Sequence, residues 1–139
     1  PSKVLGIEIS HSYRKSLKNK FENQNVVILA NDAKELKNIV SDSSVDKLLA
    51  VNVVYFLEPL ESYVKEFHRI IKQGGEGIIA CKFNGVANFD DSVAVNKDID
   101  FVTSSFEEGG FSTSRIEVDL GNDFSKYTAI SIKKMTQLI

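Results

Sequence analysis

The chain has 139 residues, 42% hydrophobic and 26% charged, the make-up of one globular domain large enough to bury a core. Seventeen basic against nineteen acidic residues leave a net charge of −2, so no electrostatic term draws the chain toward nucleic acid or an anionic membrane. A single cysteine, Cys81, excludes an internal disulfide and fits a reducing, cytoplasmic setting, and no signal peptide or bilayer-length apolar run is present.

The chain enters an apolar strand almost at once, Val4-Leu5-Gly6-Ile7-Glu8-Ile9, which reads as buried and ends at an acid. Ser10 is a fair N-cap for a helix that turns Tyr13, Leu17 and Phe21 inward and Arg14, Lys15, Lys18 and Lys20 to solvent. Asn23-Gln24-Asn25 marks a turn. Val26 to Ala30 is a β-branched second strand ending at Asn31-Asp32. Ala33, Leu36, Ile39 and Val40 predict a short helix, closed by the polar run Ser41-Asp42-Ser43-Ser44.

Residues 45–83 are the clearest stretch, a strand–helix–strand unit. The strand runs from Val45 to about Val54. Pro59 opens a helix whose stripe is Leu60, Tyr63, Val64, Phe67, Ile70 and Ile71. Glu66 and Arg69 are expected to pair on its outer face for about 0.3 kcal/mol. Gly74-Gly75 reads as the helix stop, and Gly77 to Phe83 as the next strand. Residues 84–100 show no usable period. A helix over 101–109 would turn Phe101, Val102, Ser105 and Phe106 inward. Residues 115–120 alternate strictly, Gly121-Asn122-Asp123 turns, and Tyr127 to Lys133 returns as the last strand. The predicted fold is α/β: a mostly parallel sheet flanked by helices, with a C-terminal antiparallel hairpin, in one domain over 1–139.

In open α/β sheets the ligand lies at the carboxyl ends of the strands. Those ends carry Glu8, Asp32, Asn52 and the 82–84 segment. Carboxylates there suit a ligand with hydroxyl or amine donors, such as a ribose diol and an exocyclic amine. Each acid taken alone is equally a residue favoured at a helix N-terminus. Two histidines and one cysteine supply no zinc set, so no metal is expected. Cys81 reads as a small core residue in mid-strand, and His68 as a helix residue near the surface.

These segments resemble the class I S-adenosylmethionine-dependent methyltransferases. Gly6-Ile7-Glu8-Ile9-Ser10 looks like the family's second-strand motif, Asn31-Asp32-Ala33 its third-strand end, and Val45 to Asn52 its fourth strand. Glu66-Phe67-His68-Arg69-Ile70-Ile71-Lys72-Gln73-Gly74-Gly75 is similar to its E-x-x-R-x-L-K-P-G-G helix end, with Gln73 for proline. The resemblance implies a Rossmann-like sheet and S-adenosylmethionine as cofactor. It puts Glu8 and Ile9 at the ribose, Asp32 and Ala33 at the adenine, and Asn52 on the methionine side. It names no catalytic base.

The family's central first strand and its glycine-rich turn have no counterpart ahead of Val4. The resemblance therefore implies a truncated domain with a gap beside the strand at 45–54. Either the two flanking strands pair directly, or a second copy or partner chain fills the gap. Three functions stand: a methyltransferase, inactive if the turn is required; a non-catalytic interaction module on the same fold; and a nicotinamide-dependent domain, which needs a glycine fingerprint equally absent.

Overall fold

The computed structural model describes residues 3–121 and 126–136. Strand β1 (Val4–Ile7) leads into helix α1 (His11–Lys20) and then strand β2 (Val26–Leu29). Strand β3 (Val45–Val51) is followed by a 3₁₀ turn over Val54–Phe56, helix α2 (Leu60–Ile70) and strand β4 (Ile71–Cys81). One helical turn, α3 (Phe83–Val86), precedes helix α4 (Ile99–Glu108) and the strands β5 (Phe111–Asp119) and β6 (Lys126–Lys134).

The strands form two sheets. β1 and β2 pair in parallel; β3, β4, β6 and β5 lie in that order, β3–β4 parallel and both pairings of β6 antiparallel. The larger sheet is therefore mixed: β3–β4 is parallel, as expected, and the expected C-terminal antiparallel hairpin β5–β6 joins it through β6. Among the described residues β1 pairs only with β2, and β3 only with β4. Direct pairing of β1 with β3 does not occur. Apolar side chains stand open on both strands, Val4 at 53% and Leu49 at 72% exposure.

The core gathers under the larger sheet. The α2 stripe of Leu60, Tyr63, Val64, Phe67 and Ile70 is buried as its spacing requires. It meets Val102 and Phe106 of α4, Phe111 of β5, Ile79 of β4, and Ile130 and Ile132 of β6. Each large aliphatic or aromatic side chain so buried contributes about 2 kcal/mol. The smaller sheet contributes little: α1 has no buried residue, and Tyr13, expected inward, is 67% exposed.

Several boundaries differ from the sequence expectation. Residues 33–40 form turns instead of a helix, although Leu36 and Val40 are buried as their spacing demands. The Leu36 N–H donates to Glu66 Oε1 at 2.9 Å, a partner 30 residues away that no local pattern reveals. Strand β3 stops at Val51 because Asn52 turns into the left-handed region at φ 55°. Pro59 caps α2 from outside the helix.

The Gly74-Gly75 pair is not a helix stop. α2 ends at Ile70, β4 begins at Ile71, and the glycines lie in a bulge where β3 register jumps from Val45↔Ile71 to Lys47↔Glu76. Gly74 takes φ +70°. A Cβ on Gly75 would come within 2.6 Å of Ile71 Cγ2 and 2.8 Å of the Lys72 carbonyl.

Helix α4 starts two residues earlier than its apolar pattern suggests. The Asp98 side chain caps it, accepting from Asp100 N–H at 2.8 Å and Phe101 N–H at 3.4 Å, worth about 1 kcal/mol. Thr103 faces inward in place of Phe101, which is exposed. The aperiodic 84–100 segment is tied down by Asn96, whose Nδ2 donates to the Val54 and Leu57 carbonyls at 2.8 and 2.7 Å. β5 alternates but buries neither face over 115–120, since Ile116 and Leu120 are open at the sheet edge. The Asn122-Asp123 part of the expected turn lies outside the described residues. No helix among the described residues is long and apolar enough to cross a membrane.

Candidate functional site

Parallel pairing puts the ends of β1 and β2 on one side of the smaller sheet. Ile7 pairs with Leu29, and the Glu8 N–H continues the ladder to the Leu29 carbonyl at 3.0 Å. Glu8, one residue beyond β1, and Asp32, three beyond β2, thus project from the same carboxyl end. Glu8 is half-buried. Its Oε1 accepts from the Ser10 N–H at 2.8 Å, which orients the carboxylate. Arg14 lies beneath, donating to the Glu8 and Ile9 carbonyls at 3.0 and 2.6 Å. Arg14 is therefore not one more solvated base on α1, but a strap that fixes the loop carrying Glu8.

Asp32 is half-buried, and its Oδ1 accepts from the Lys34 N–H at 3.2 Å. Burial first, and then interaction with the Asp32 carboxylate, push the Tyr63 phenol of α2 up to about 12. Tyr63 looks like a core residue from its helical spacing, and its contact with Asp32 has no local sequence signal. Ala33 packs against the core. Ile9 is 70% exposed beside Glu8.

The residues at hand fit the nucleoside half of S-adenosylmethionine. An ionised carboxylate has two oxygens and about four acceptor sites. Ser10 uses one on Glu8, which leaves capacity for a ribose diol, and Asp32 keeps capacity for an amine. The exposed Ile9 offers an apolar surface next to the acid.

Asn52 belongs to the other sheet. It follows β3, and its N–H donates to the Ala80 carbonyl of β4 at 2.8 Å. The Tyr55 hydroxyl, folded back by the 3₁₀ turn, donates to Asn52 Oδ1 at 3.3 Å and accepts from the Lys82 N–H. Interaction with Asn52 first, and then with Lys82, holds the Tyr127 phenol below its ordinary range, and the Lys82 ammonium lies 4.6 Å from the centre of the Tyr127 ring. Tyr55 is buried, and its neighbour Phe56 stands 53% exposed. Burial pushes both the Tyr55 phenol and the Cys81 thiol up to about 12, so neither is charged at neutral pH. That agrees with Cys81 as a core residue.

A wide shallow groove also lies along α2, lined by Lys34, Ser62, Lys65, Glu66, His68 and Arg69. Glu66 and Arg69 in it are bound to each other and to the 36–42 segment, which marks it as a structural joint.

A family model described as a methyltransferase domain matches residues 1–79, more than half of the chain. No curated protein matches the sequence. Solved structures share the fold at low identity. A complex of the Haloferax volcanii Trm112 methyltransferase activator with a methyltransferase superposes with TM-score 0.78 at 13% identity, covering 96% of this chain and 72% of that one. An S-adenosylmethionine-dependent methyltransferase from Mesorhizobium loti gives 0.77 at 12%, covering 96% and 81%. The N-methyltransferase NodS from Bradyrhizobium japonicum gives 0.75 at 11%, covering 96% and 74%.

Proposed function

This chain belongs to the class I S-adenosylmethionine-dependent methyltransferase family, and from that premise we propose that it binds S-adenosylmethionine and transfers its methyl group. The observation that carries this reading is the pair of oriented carboxylates, Glu8 and Asp32, at one end of the parallel strands β1 and β2. Glu8 and Ile9 hold the ribose; Asp32 and Ala33 meet the adenine; Asn52, at the end of β3, faces the methionine side. The bound cofactor supplies a methyl group made electrophilic by a sulfonium. The residues of this chain orient it. The buried, neutral Cys81 thiol suits a reducing, cytoplasmic protein.

Isothermal titration with S-adenosylmethionine and S-adenosylhomocysteine tests the reading. Saturable binding, weakened at least tenfold by Glu8→Ala, supports it. Absence of heat at high ligand concentration sinks it for this chain.

A second reading is favoured by the open edges of β1 and β3. We read the space between them as the position of the family's central strand, filled by a strand from outside the described residues. In this reading a second copy or a protein partner completes the sheet, and the domain serves as an interaction module. The Trm112 complex is a precedent for a protein partner on this fold. Light scattering that gives a stable monomer, together with slow amide exchange in β1 and β3, would overturn it.

A further inference from the structure

We propose that the outer face of the larger sheet, turned away from α2 and α4, packs against the same face of a second copy of this chain. The two sheets are related by a two-fold axis that runs along the strands between β4 and β6. This contact uses a face, not the open edges of β1 and β3, and it is independent of methyl transfer.

Side chains alternate along a strand, so the strand register sorts this sheet into two faces. Ile79 and Cys81 of β4, Ile130 and Ile132 of β6 and Phe111 of β5 point into the core shared with α2 and α4. The residues between them point outward, and the pairing aligns them in rows across β3, β4, β6 and β5. The first row is Lys47, Glu76, Lys133 and Ser112. The second is Leu49, Ile78, Ser131 and Ser114, and the third is Val51, Ala80, Ala129 and Ile116. Leu49 is 72% exposed, Ile116 56%, Ile78 45% and Val51 44%. Sheets with parallel strands are ordinarily covered on both faces, and apolar side chains left open side by side mark an association surface.

The order of residues within each row makes the face complementary to itself. A two-fold axis between β4 and β6 exchanges β4 with β6 and β3 with β5, so every residue meets the one across its own row. In the first row Glu76 of each copy meets Lys133 of the other, giving two reciprocal ion pairs, while Glu76 keeps its own bridge to Lys47 at 2.6 Å. In the second row Ile78 and Leu49 stand over Ser131 and Ser114, large side chains over small ones. In the third Val51 meets Ile116, and Ala80 meets Ala129. No row sets like charges against each other, and the two apolar rows carry no charge. With strands about 4.8 Å apart and about 3.3 Å per residue, the three rows cover roughly 400 Å² per copy in plan. An interface of that size lies at the weak, reversible end of specific complexes.

Sedimentation velocity of the intact chain between about 2 and about 200 μM tests the proposal. The expected result is a reversible monomer–dimer equilibrium. Leu49→Lys and Ile78→Lys place a charge in the apolar rows and should weaken the dimer about tenfold or more, with the far-ultraviolet circular dichroism unchanged. Glu76→Lys alone and Lys133→Glu alone should each weaken self-association. An equimolar mixture of those two variants should recover it, because the axis then sets two lysines of one copy against two glutamates of the other. A monomer at the highest concentration overturns the proposal, and so does a mixture that fails to recover the dimer. A dimer indifferent to Leu49→Lys and Ile78→Lys also overturns it, and assigns association to the strand edges instead. Titration with S-adenosylmethionine reads the methyl-transfer function separately.

Discussion

Arg69 grips Glu66 through two parallel hydrogen bonds, Nε to Oε2 at 2.9 Å and Nη2 to Oε1 at 2.7 Å. Its Nη1 reaches on to the Val40 carbonyl at 2.9 Å and to Asp42 at 2.6 Å, while Glu66 also holds the Leu36 N–H. A pair expected to be a weak solvated contact on a helix is a half-buried clamp between α2 and the 36–42 turns. Such charge-assisted, bidentate bonds are about twice as strong as neutral ones. Arg69→Ala should therefore cost about 3 kcal/mol, and Arg69→Lys, which loses the fork, about half as much. Urea denaturation of the two variants checks the order; equal losses would contradict the clamp.

The same pair sets an acid limit. Arg69 first, and then the Leu36 N–H, hold the Glu66 carboxyl below its usual range against the opposing effect of burial. The unfolded chain then binds more protons than the folded one below about pH 4.3, the ordinary glutamate value. This stabilisation is complete above that pH and is lost as pH falls through the lower folded value. His68 acts in a separate window. Burial, and secondarily Lys134, lower its pKa, so the folded state favours neutral imidazole and stability declines as pH falls below about 6.5. Denaturation midpoints between pH 7 and pH 3 should flatten in the upper window for His68→Gln and in the lower for Glu66→Gln.

Gly74 and Gly75 are adjacent, yet their alanine variants should differ. A Cβ at Gly74 meets open space and suffers only the left-handed backbone, about 1 kcal/mol. A Cβ at Gly75 runs into Ile71 and the Lys72 carbonyl inside the bulge, which costs about 2–3 kcal/mol. Thermal melts that rank Gly75→Ala well below Gly74→Ala support this account of the bulge.

Asn52→Gly separates stability from function. Glycine relieves the positive φ and gives up the bond from Tyr55, two opposing effects of about 1 kcal/mol each. Stability should stay within about 1 kcal/mol of wild type. The Tyr127 phenol, deprived of one donor, should titrate closer to 10. A large loss of stability, or an unmoved phenol, would contradict the arrangement.

The strand–helix–strand unit was legible because its signals are local: the α2 stripe, the β-branched runs and the acids at strand ends all lie within one element. The 33–40 turns were not. Leu36, Ile39 and Val40 imitate a helix stripe, and what decides their form is a carboxylate on α2. The site divides the same way. Glu8, Asp32 and Asn52 of the candidate site can be read from strand ends and family resemblance, whereas Tyr63 and Tyr127 lie far from them in sequence and carry no periodic signal for it. The mixed order of the larger sheet follows from β6 inserting between β4 and β5, a choice that alternation alone does not specify.

Lys134 is the last residue of β6 and is buried, with Nζ donating to the carbonyls of His68 and Ile71 at 2.7 and 2.9 Å. Its ammonium thus satisfies the carboxyl end of α2, an element translated more than sixty residues before it. During synthesis α2 and β4 leave the ribosome with those carbonyls still hydrated, and β5 emerges without a strand partner, because β6, the strand it pairs with, follows it. Until Lys134 clears the exit tunnel the nascent domain is held open, so a ribosome stalled ahead of this codon should present a protease-sensitive chain, and the released chain should be resistant.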